Sequence, residues 1–170
     1  MTKINSGMFS SNSNDWETPQ DLYDSMNKTF DFDLDPCASH ENHKTKKYFT
    51  VEDDGLKQGW SGRVFMNPPY GRSPDGTTIK DWISKAYWSS RQRNVDLVVG
   101  LIPARTDTIY WHDYVMDARY IFFIKGRVHF SGGGAAPFPS AIIVWFSTND
   151  KMHYPTIFTY DLKTQEVDWR

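Results

Sequence analysis

Arg63-Val64-Phe65-Met66-Asn67-Pro68-Pro69-Tyr70-Gly71 is the stretch on which the reading of this chain turns. The run from Arg63 to Asn67 predicts a buried strand. It ends in two consecutive prolines, each with φ fixed by its ring, and then an aromatic side chain. A strand of this kind delivers a short, stiff, aromatic-tipped tetrapeptide to one end of a sheet.

Outward from that strand, helical and strand patterns alternate. Trp16-Glu17-Thr18-Pro19 reads as a helix start, with Thr18 as cap and Pro19 in the first helical position. Leu22, Met26 and Phe30 recur at four-residue spacing and predict one buried helical face. Phe30 to Asp35 alternates apolar and acidic residues, a strand pattern that stops at Asp35-Pro36. Lys47 to Val51 is a short strand candidate, and Glu52 to Gly55 a turn. Thr77 or Thr78 can cap a helix carrying Ile79, Trp82, Ile83, Ala86 and Tyr87 on one side. Val95 to Ile102 is nearly all apolar, as in a strand buried on both faces. A helix is expected from Thr106 or Asp107 through Tyr114 and Val115, and strands at Tyr120–Ile124, Ala141–Phe146 and, at the sheet edge, Thr156–Tyr160. Ser131 to Pro137 reads as a flexible loop. The alternation implies an α/β fold with a central, mostly parallel sheet flanked by helices. Ligands of such sheets sit beyond the carboxyl ends of the strands. Three chemically loaded segments fall there: Asp35-Pro36-Cys37, Asn67 to Tyr70, and Pro103-Ala104-Arg105.

With 170 residues the chain has room for one domain, read here as residues 15–170 behind a mobile polar tail over 1–14. A charged fraction of 24% and a hydrophobic fraction of 39% fit a globular chain. The net charge of −2 excludes a strongly basic nucleic-acid binder, but not a local positive face. A single cysteine, Cys37, excludes an internal disulfide framework and suits a reducing compartment, hence a cytoplasmic location. No apolar stretch reaches the ~20 residues of a membrane span. Cys37, His40 and His43 do not form a recognised tetrahedral set, so no metal is expected.

The tetrapeptide carries specific chemistry. An exocyclic amine conjugated to a ring is a poor nucleophile, because its lone pair is delocalised. A site can help by accepting its N–H protons in the transition-state geometry. The Asn67 side-chain oxygen and the Pro68 carbonyl are the candidate acceptors. Pro68 and Pro69 keep them pointed, and Tyr70 offers a ring on which a base can stack, worth about 1–3 kcal/mol in other systems.

Taken in order, Trp16-Glu17-Thr18-Pro19, Phe32 to Ser39, Asp54-Gly55-Leu56 and Asn67 to Gly71 resemble the small phage-type DNA N6-adenine methyltransferases. Leu101 to Asp107, Gly126 to Phe130 and Pro137 to Ser140 are similar to that family as well. The resemblance implies a Rossmann-like class I S-adenosylmethionine-dependent methyltransferase fold, S-adenosylmethionine as donor and adenine in DNA as acceptor. It places Trp16, Thr18, Pro19, Asp35, Pro36, Cys37, Ala38 and Asp54 at the donor, Thr18 near its carboxylate and Asp54 near its adenine. It gives Asn67, Pro68, Pro69 and Tyr70 the catalytic role, and sets Phe130, Arg105 and Arg127 against the base and phosphates. Glu52 and Asp53 are the candidates for the donor ribose.

Most methyltransferases carry a glycine-rich turn where this chain has Pro36-Cys37-Ala38-Ser39. The donor has no phosphate, which relaxes that requirement. The chain leaves little for a separate target-recognition domain. Arg72–Thr78 and Ser131–Pro137 are the loops available for groove contact, and short or relaxed site recognition is expected, with a homodimer as one way to extend it. Two other readings fit parts of the pattern: methylation of an amino or amide group in RNA or protein, and a non-catalytic nucleic-acid-binding relative.

Overall fold

A computed structural model of the chain describes residues 16–131, 134–146 and 154–168. The expected tail over 1–14, and Gly132 and Gly133 of the expected loop, lie outside the described residues. The elements are helix α1 (Gln20–Phe30), strands β1 (Leu34–Asp35), β2 (Lys47–Tyr48) and β3 (Gly62–Met66), helix α2 (Ile79–Ser89), strand β4 (Val95–Pro103), a π-helical turn (Trp111–Val115), and strands β5 (Tyr120–Lys125), β6 (Ser140–Trp145), β7 (Thr156–Asp161) and β8 (Glu166–Asp168).

The strands form one mixed sheet in the order β2-β1-β3-β4-β6-β5-β7-β8. β2, β1, β3, β4, β5 and β7 run one way, while β6 and β8 run against them. Pairing is therefore less uniformly parallel than the alternation of elements predicts, because β6 enters antiparallel between β4 and β5. The consequence for the site is positional. β1, β3, β4 and β5 all end at the same edge, so Asp35 at the end of β1, and Asn67 and Ala104 just past β3 and β4, lie side by side, with Gly126 after β5 one strand further on, beyond β6.

Helices cover both faces. α1 buries Leu22, Tyr23 and Met26, and the Tyr23 ring lies 5.2 Å from Phe65 of β3. An isolated helix of this length is marginal in water, so this burial, about 1.5–3 kcal/mol for each large apolar side chain, holds it. Strand alternation points Val64 and Met66 to the opposite face. There Met66 lies beside Trp145, whose indole N–H donates to the Tyr114 carbonyl at 2.8 Å. Tyr114 in turn contacts Tyr87 of α2. α2 begins at Thr78, whose backbone N–H and hydroxyl both donate to Asp81, at 2.8 and 3.0 Å.

Several boundaries differ from expectation. Pro19, rather than Thr18, occupies the cap position of α1, with extended backbone and its carbonyl accepting from Tyr23 at 3.1 Å. The strand expected from Phe30 begins only at Leu34. Asp31 adopts a left-handed conformation, φ 51°, and its N–H closes the helix on the Asn27 carbonyl. The helix expected after Thr106 starts later, at Ile109 behind a turn and a bend, and continues from Tyr110 into the π-helical turn, ending at Val115 as expected. β7 is not at the edge, because β8 pairs outside it.

Candidate active site

Thr18 leaves its capping role for another partner. It is 2% exposed, and its hydroxyl oxygen accepts from the Asn67 side-chain nitrogen at 3.0 Å. The same nitrogen donates to the Trp16 carbonyl. The Asn67 oxygen, on the other side of the amide, accepts from the Tyr70 hydroxyl at 2.6 Å. Tyr70 also reaches the Leu101 carbonyl of β4, at 3.2 Å. The Trp16–Thr18 segment thus runs across the end of β3 as a strap and grips the asparagine from above. Its position is fixed by the Ser131 N–H, which donates to the Glu17 carbonyl at 3.1 Å, and by the Trp16 ring, set edge-on to Phe130 and Phe138.

Tyr70 is 7% exposed and its ring lies edge-on to Phe130 and Phe138. Burial raises its pKa well above the ordinary phenol value. It does not offer the open stacking face expected of it, because its hydroxyl is drawn inward to Asn67 and Leu101. Phe130 is 1% exposed, enclosed by Trp16, Tyr70 and Phe138. It backs the aromatic wall and presents no open surface of its own.

Two spaces meet at Pro69. The smaller is a slot of about 60 Å³ lined by Trp16, Thr18, Asp35, Asn42, Lys44 and Asn67 among others. Asp35 is the buried charge there. Its carboxylate accepts from the backbone N–H groups of Cys37 and Lys44, both at 3.1 Å. Desolvation nevertheless dominates and raises its pKa from 3.8 to about 6, with Lys44 and His43 pulling the other way.

The larger space is a cleft of about 530 Å³, inside the range of small-molecule sites. Pro36, Cys37 and Ala38 form one side, and Phe49, Leu56 and Trp82 give it apolar surface. Among the described residues, Asp54 and Asp75 are its charged lining residues, and no lysine or arginine lines it. Asp54 is held ionised, its pKa lowered by the Lys57 ammonium at 2.7 Å.

The close approach that a glycine-rich turn would provide at Pro36–Ser39 is made instead from across the cleft. A Cβ on Gly55 would lie 2.2 Å from the Pro36 carbonyl oxygen, so only glycine lets the Asp54–Leu56 turn sit against the end of β1. The Trp60 indole N–H holds that turn, donating to the Gly55 carbonyl at 2.8 Å. The Cys37 thiol is pushed up in pKa, first by burial and then by Asp35.

The remaining expectations divide. Trp16, Thr18 and Asp35 line the slot; Pro36, Cys37, Ala38 and Asp54 line the cleft. Pro19 belongs to neither. It faces a separate groove of about 220 Å³ with Arg127, because it starts the helix on the far side of the strap. Arg105 is exposed just past β4, at the edge where Asn67 lies. Asp53 folds back on Thr50, accepting from its N–H at 2.8 Å and its hydroxyl at 3.0 Å, and lies outside the cleft lining, as does Glu52. The 72–78 loop walls the cleft through Ser73, Pro74, Asp75 and Thr77. His40 and His43 gather on Tyr48, the second stacked at 4.2 Å. Asn42 and Lys44 lie in a polar loop with no periodic pattern to single them out. Trp82 belongs to the apolar face of α2, and its second role facing the cleft has no sequence signal.

The fold is similar to that of modification and methyltransferase subunits of type I restriction–modification systems. The methyltransferase subunit of a type I system from Streptococcus thermophilus aligns with a TM-score of 0.52 at 13% identity, over 86% of this chain and 47% of that one. A structure from work on the assembly and conformational transition of the type I restriction–modification system gives 0.56 at 12% identity, covering 88% of this chain and 45% of that one. At such identity the likeness concerns the fold. The model of the DNA N-6-adenine-methyltransferase (Dam) family matches residues 5–152, and the chain belongs to that family. A DNA N-6-adenine-methyltransferase of Escherichia phage T1 is 30% identical over 114 residues, 65% of this chain and 44% of that protein. One from Haemophilus phage HP1 is 41% identical over 58 residues, 32% of this chain and 34% of that protein. The chain thus spans less than half the length of these relatives. Among the described residues no helix is long and apolar enough to cross a membrane.

Proposed function

We propose that this chain transfers a methyl group from S-adenosylmethionine to the N6 amino group of adenine in DNA, within a single Rossmann-like class I methyltransferase domain. The observation that carries the reading is the junction at Pro69 of a largely apolar cleft, with carboxylates in its lining, and the polar slot at Asn67. A cleft with no lysine or arginine among its described lining residues does not suit a phosphorylated cofactor. Its apolar surface and rim carboxylates suit a nucleoside bearing a cation.

When bound, the donor supplies an electrophilic methyl group on a sulfonium. The nucleoside would lie on Phe49, Leu56 and Trp82, with Asp54 toward its exocyclic amine. Asp35 would meet its ammonium, and Lys44 and Thr18 its carboxylate. The adenine must leave the duplex stack, since its N6 cannot otherwise reach the site. The Asn67 oxygen and the Pro68 carbonyl accept the two N–H protons of N6 and draw its lone pair out of conjugation. Tyr70, backed by Phe130 and Phe138, forms the wall for the ring, and admitting the base requires a local opening of the Trp16 strap. No strong base is needed before attack; the proton leaves once N6 is cationic. Arg105 and Arg127, at the same sheet edge, are proposed phosphate contacts.

The test is incubation of unmethylated DNA, RNA and glutamine-containing peptide with labelled donor. Label should enter adenine of DNA. Asn67→Ala should fold and bind donor while losing about 100-fold or more in rate, the scale of removing one aligned transition-state hydrogen bond. Label confined to RNA or peptide would move the acceptor; an unchanged rate in Asn67→Ala would remove the mechanism.

A further inference from the structure

A carboxamide is nearly symmetric in shape, yet only its oxygen can accept a proton from an incoming amine. The orientation of Asn67 is therefore a catalytic variable in itself. Its nitrogen carries two N–H groups, one directed to the Trp16 carbonyl and one to the Thr18 hydroxyl. The Trp16 carbonyl accepts and cannot donate, so an inverted amide would set two acceptors face to face. The hydroxyls of Thr18 and Tyr70 can act either way and follow. With both N–H groups engaged, the oxygen is held on the opposite side. There it takes the Tyr70 proton at 2.6 Å and keeps one lone pair for another donor.

Thr18 is the side chain that completes this arrangement. It accepts from Asn67, so its own proton is directed elsewhere, and it lines the slot that also contains Asp35 and Lys44. An acceptor bound in the slot would hold that proton and keep the hydroxyl oxygen turned to Asn67. We propose that Thr18 is a positioning residue: it acts through Asn67 and couples occupancy of the slot to the orientation of the amide. This rests on the methyltransferase reading above and adds to it a link between donor and catalytic asparagine.

The experiment compares Thr18→Val, which keeps the shape and removes the hydroxyl, with Thr18→Ser, each alone and with Asn67→Ala. Rates are read at saturating donor and DNA, donor affinity by calorimetry, and the Asn67 side-chain amide by its proton–nitrogen NMR resonances. Thr18→Val should lower kcat at saturating donor about tenfold, the scale of one lost hydrogen bond. Thr18→Ser should recover most of it. In the Asn67→Ala background Thr18→Val should have no further effect on kcat, the non-additivity of groups acting as a unit. A loss confined to donor affinity, or one that persists without Asn67, would overturn the proposal and leave the methyltransferase reading standing. Should the wild-type protein not methylate adenine at all, that reading fails. The NMR arm then decides alone, with S-adenosylmethionine as the added probe: a movement of the Asn67 amide resonances on its addition that is lost in Thr18→Val upholds the coupling, and resonances that it leaves unmoved, or moves equally in Thr18→Val, overturn it.

Discussion

Asp35 gives the most quantitative prediction. It is 4% exposed, and its pKa stands at about 6 against 3.8 for an ordinary aspartate. At 1.36 kcal/mol per unit, keeping it ionised costs the folded chain about 3 kcal/mol. Between about pH 4 and pH 6 the folded protein holds a proton that the unfolded chain has released. The Asp35 contribution to stability is therefore best below about pH 4, falls as the pH rises, and is flat above about 6. A cation bound beside the carboxylate reverses the balance by favouring ionisation. Donor binding in that interval should release about one proton, and affinity should rise about tenfold per pH unit before levelling near pH 6. Calorimetry near pH 5, in buffers of different ionisation enthalpy, counts the proton directly. Asp35→Asn should abolish the release. Release should survive in His43→Gln, which removes the neighbouring imidazole and leaves the Asp35 carboxylate in place. Affinity that is flat across this interval, or release that persists in Asp35→Asn, would refute the placement of the donor cation.

Gly55→Ala forces a methyl group onto the Pro36 carbonyl; it should cost about 3 kcal/mol and weaken donor binding, and a urea midpoint close to wild type would count against the close approach. Tyr70→Phe keeps the ring but takes a donor from the Asn67 oxygen and the Leu101 carbonyl. It should lower stability by about 1–2 kcal/mol in thermal unfolding yet keep the methylation rate within about tenfold, because the Trp16 carbonyl still orients the amide. A much larger loss of rate would give the hydroxyl a part in the chemistry.

Strand ends were legible where sequence and burial agree. Val64–Met66 is an apolar run and Val95–Ile102 nearly one, broken at Asp96 and Gly100, and the structure keeps both in inner strands with their loaded ends side by side. The apolar face of α2 was likewise readable, and of the two threonines that could cap it the structure uses Thr78, paired with Asp81. What was not legible depends on distant partners. Thr18 has the signature of a cap, but its hydroxyl is claimed by Asn67, 49 positions away. Tyr70 has the look of an exposed platform, but two acceptors draw it inward. The order of β5, β6 and β7 follows from pairing across the sheet, which periodicity does not encode. β8 is three exposed residues, too short for any pattern.

The two flanks of the sheet have a consequence for the chain in concentrated solution. β2 contributes two residues, one of them Lys47, and β8 three, two of them acidic. Neither margin offers a long apolar backbone ladder on which a neighbouring molecule could build. The chain thus terminates its hydrogen-bonded array with short charged stubs. Replacing Glu166 and Asp168 with valine would remove that safeguard on one side and invite fibrillar association, visible as thioflavin binding on prolonged incubation.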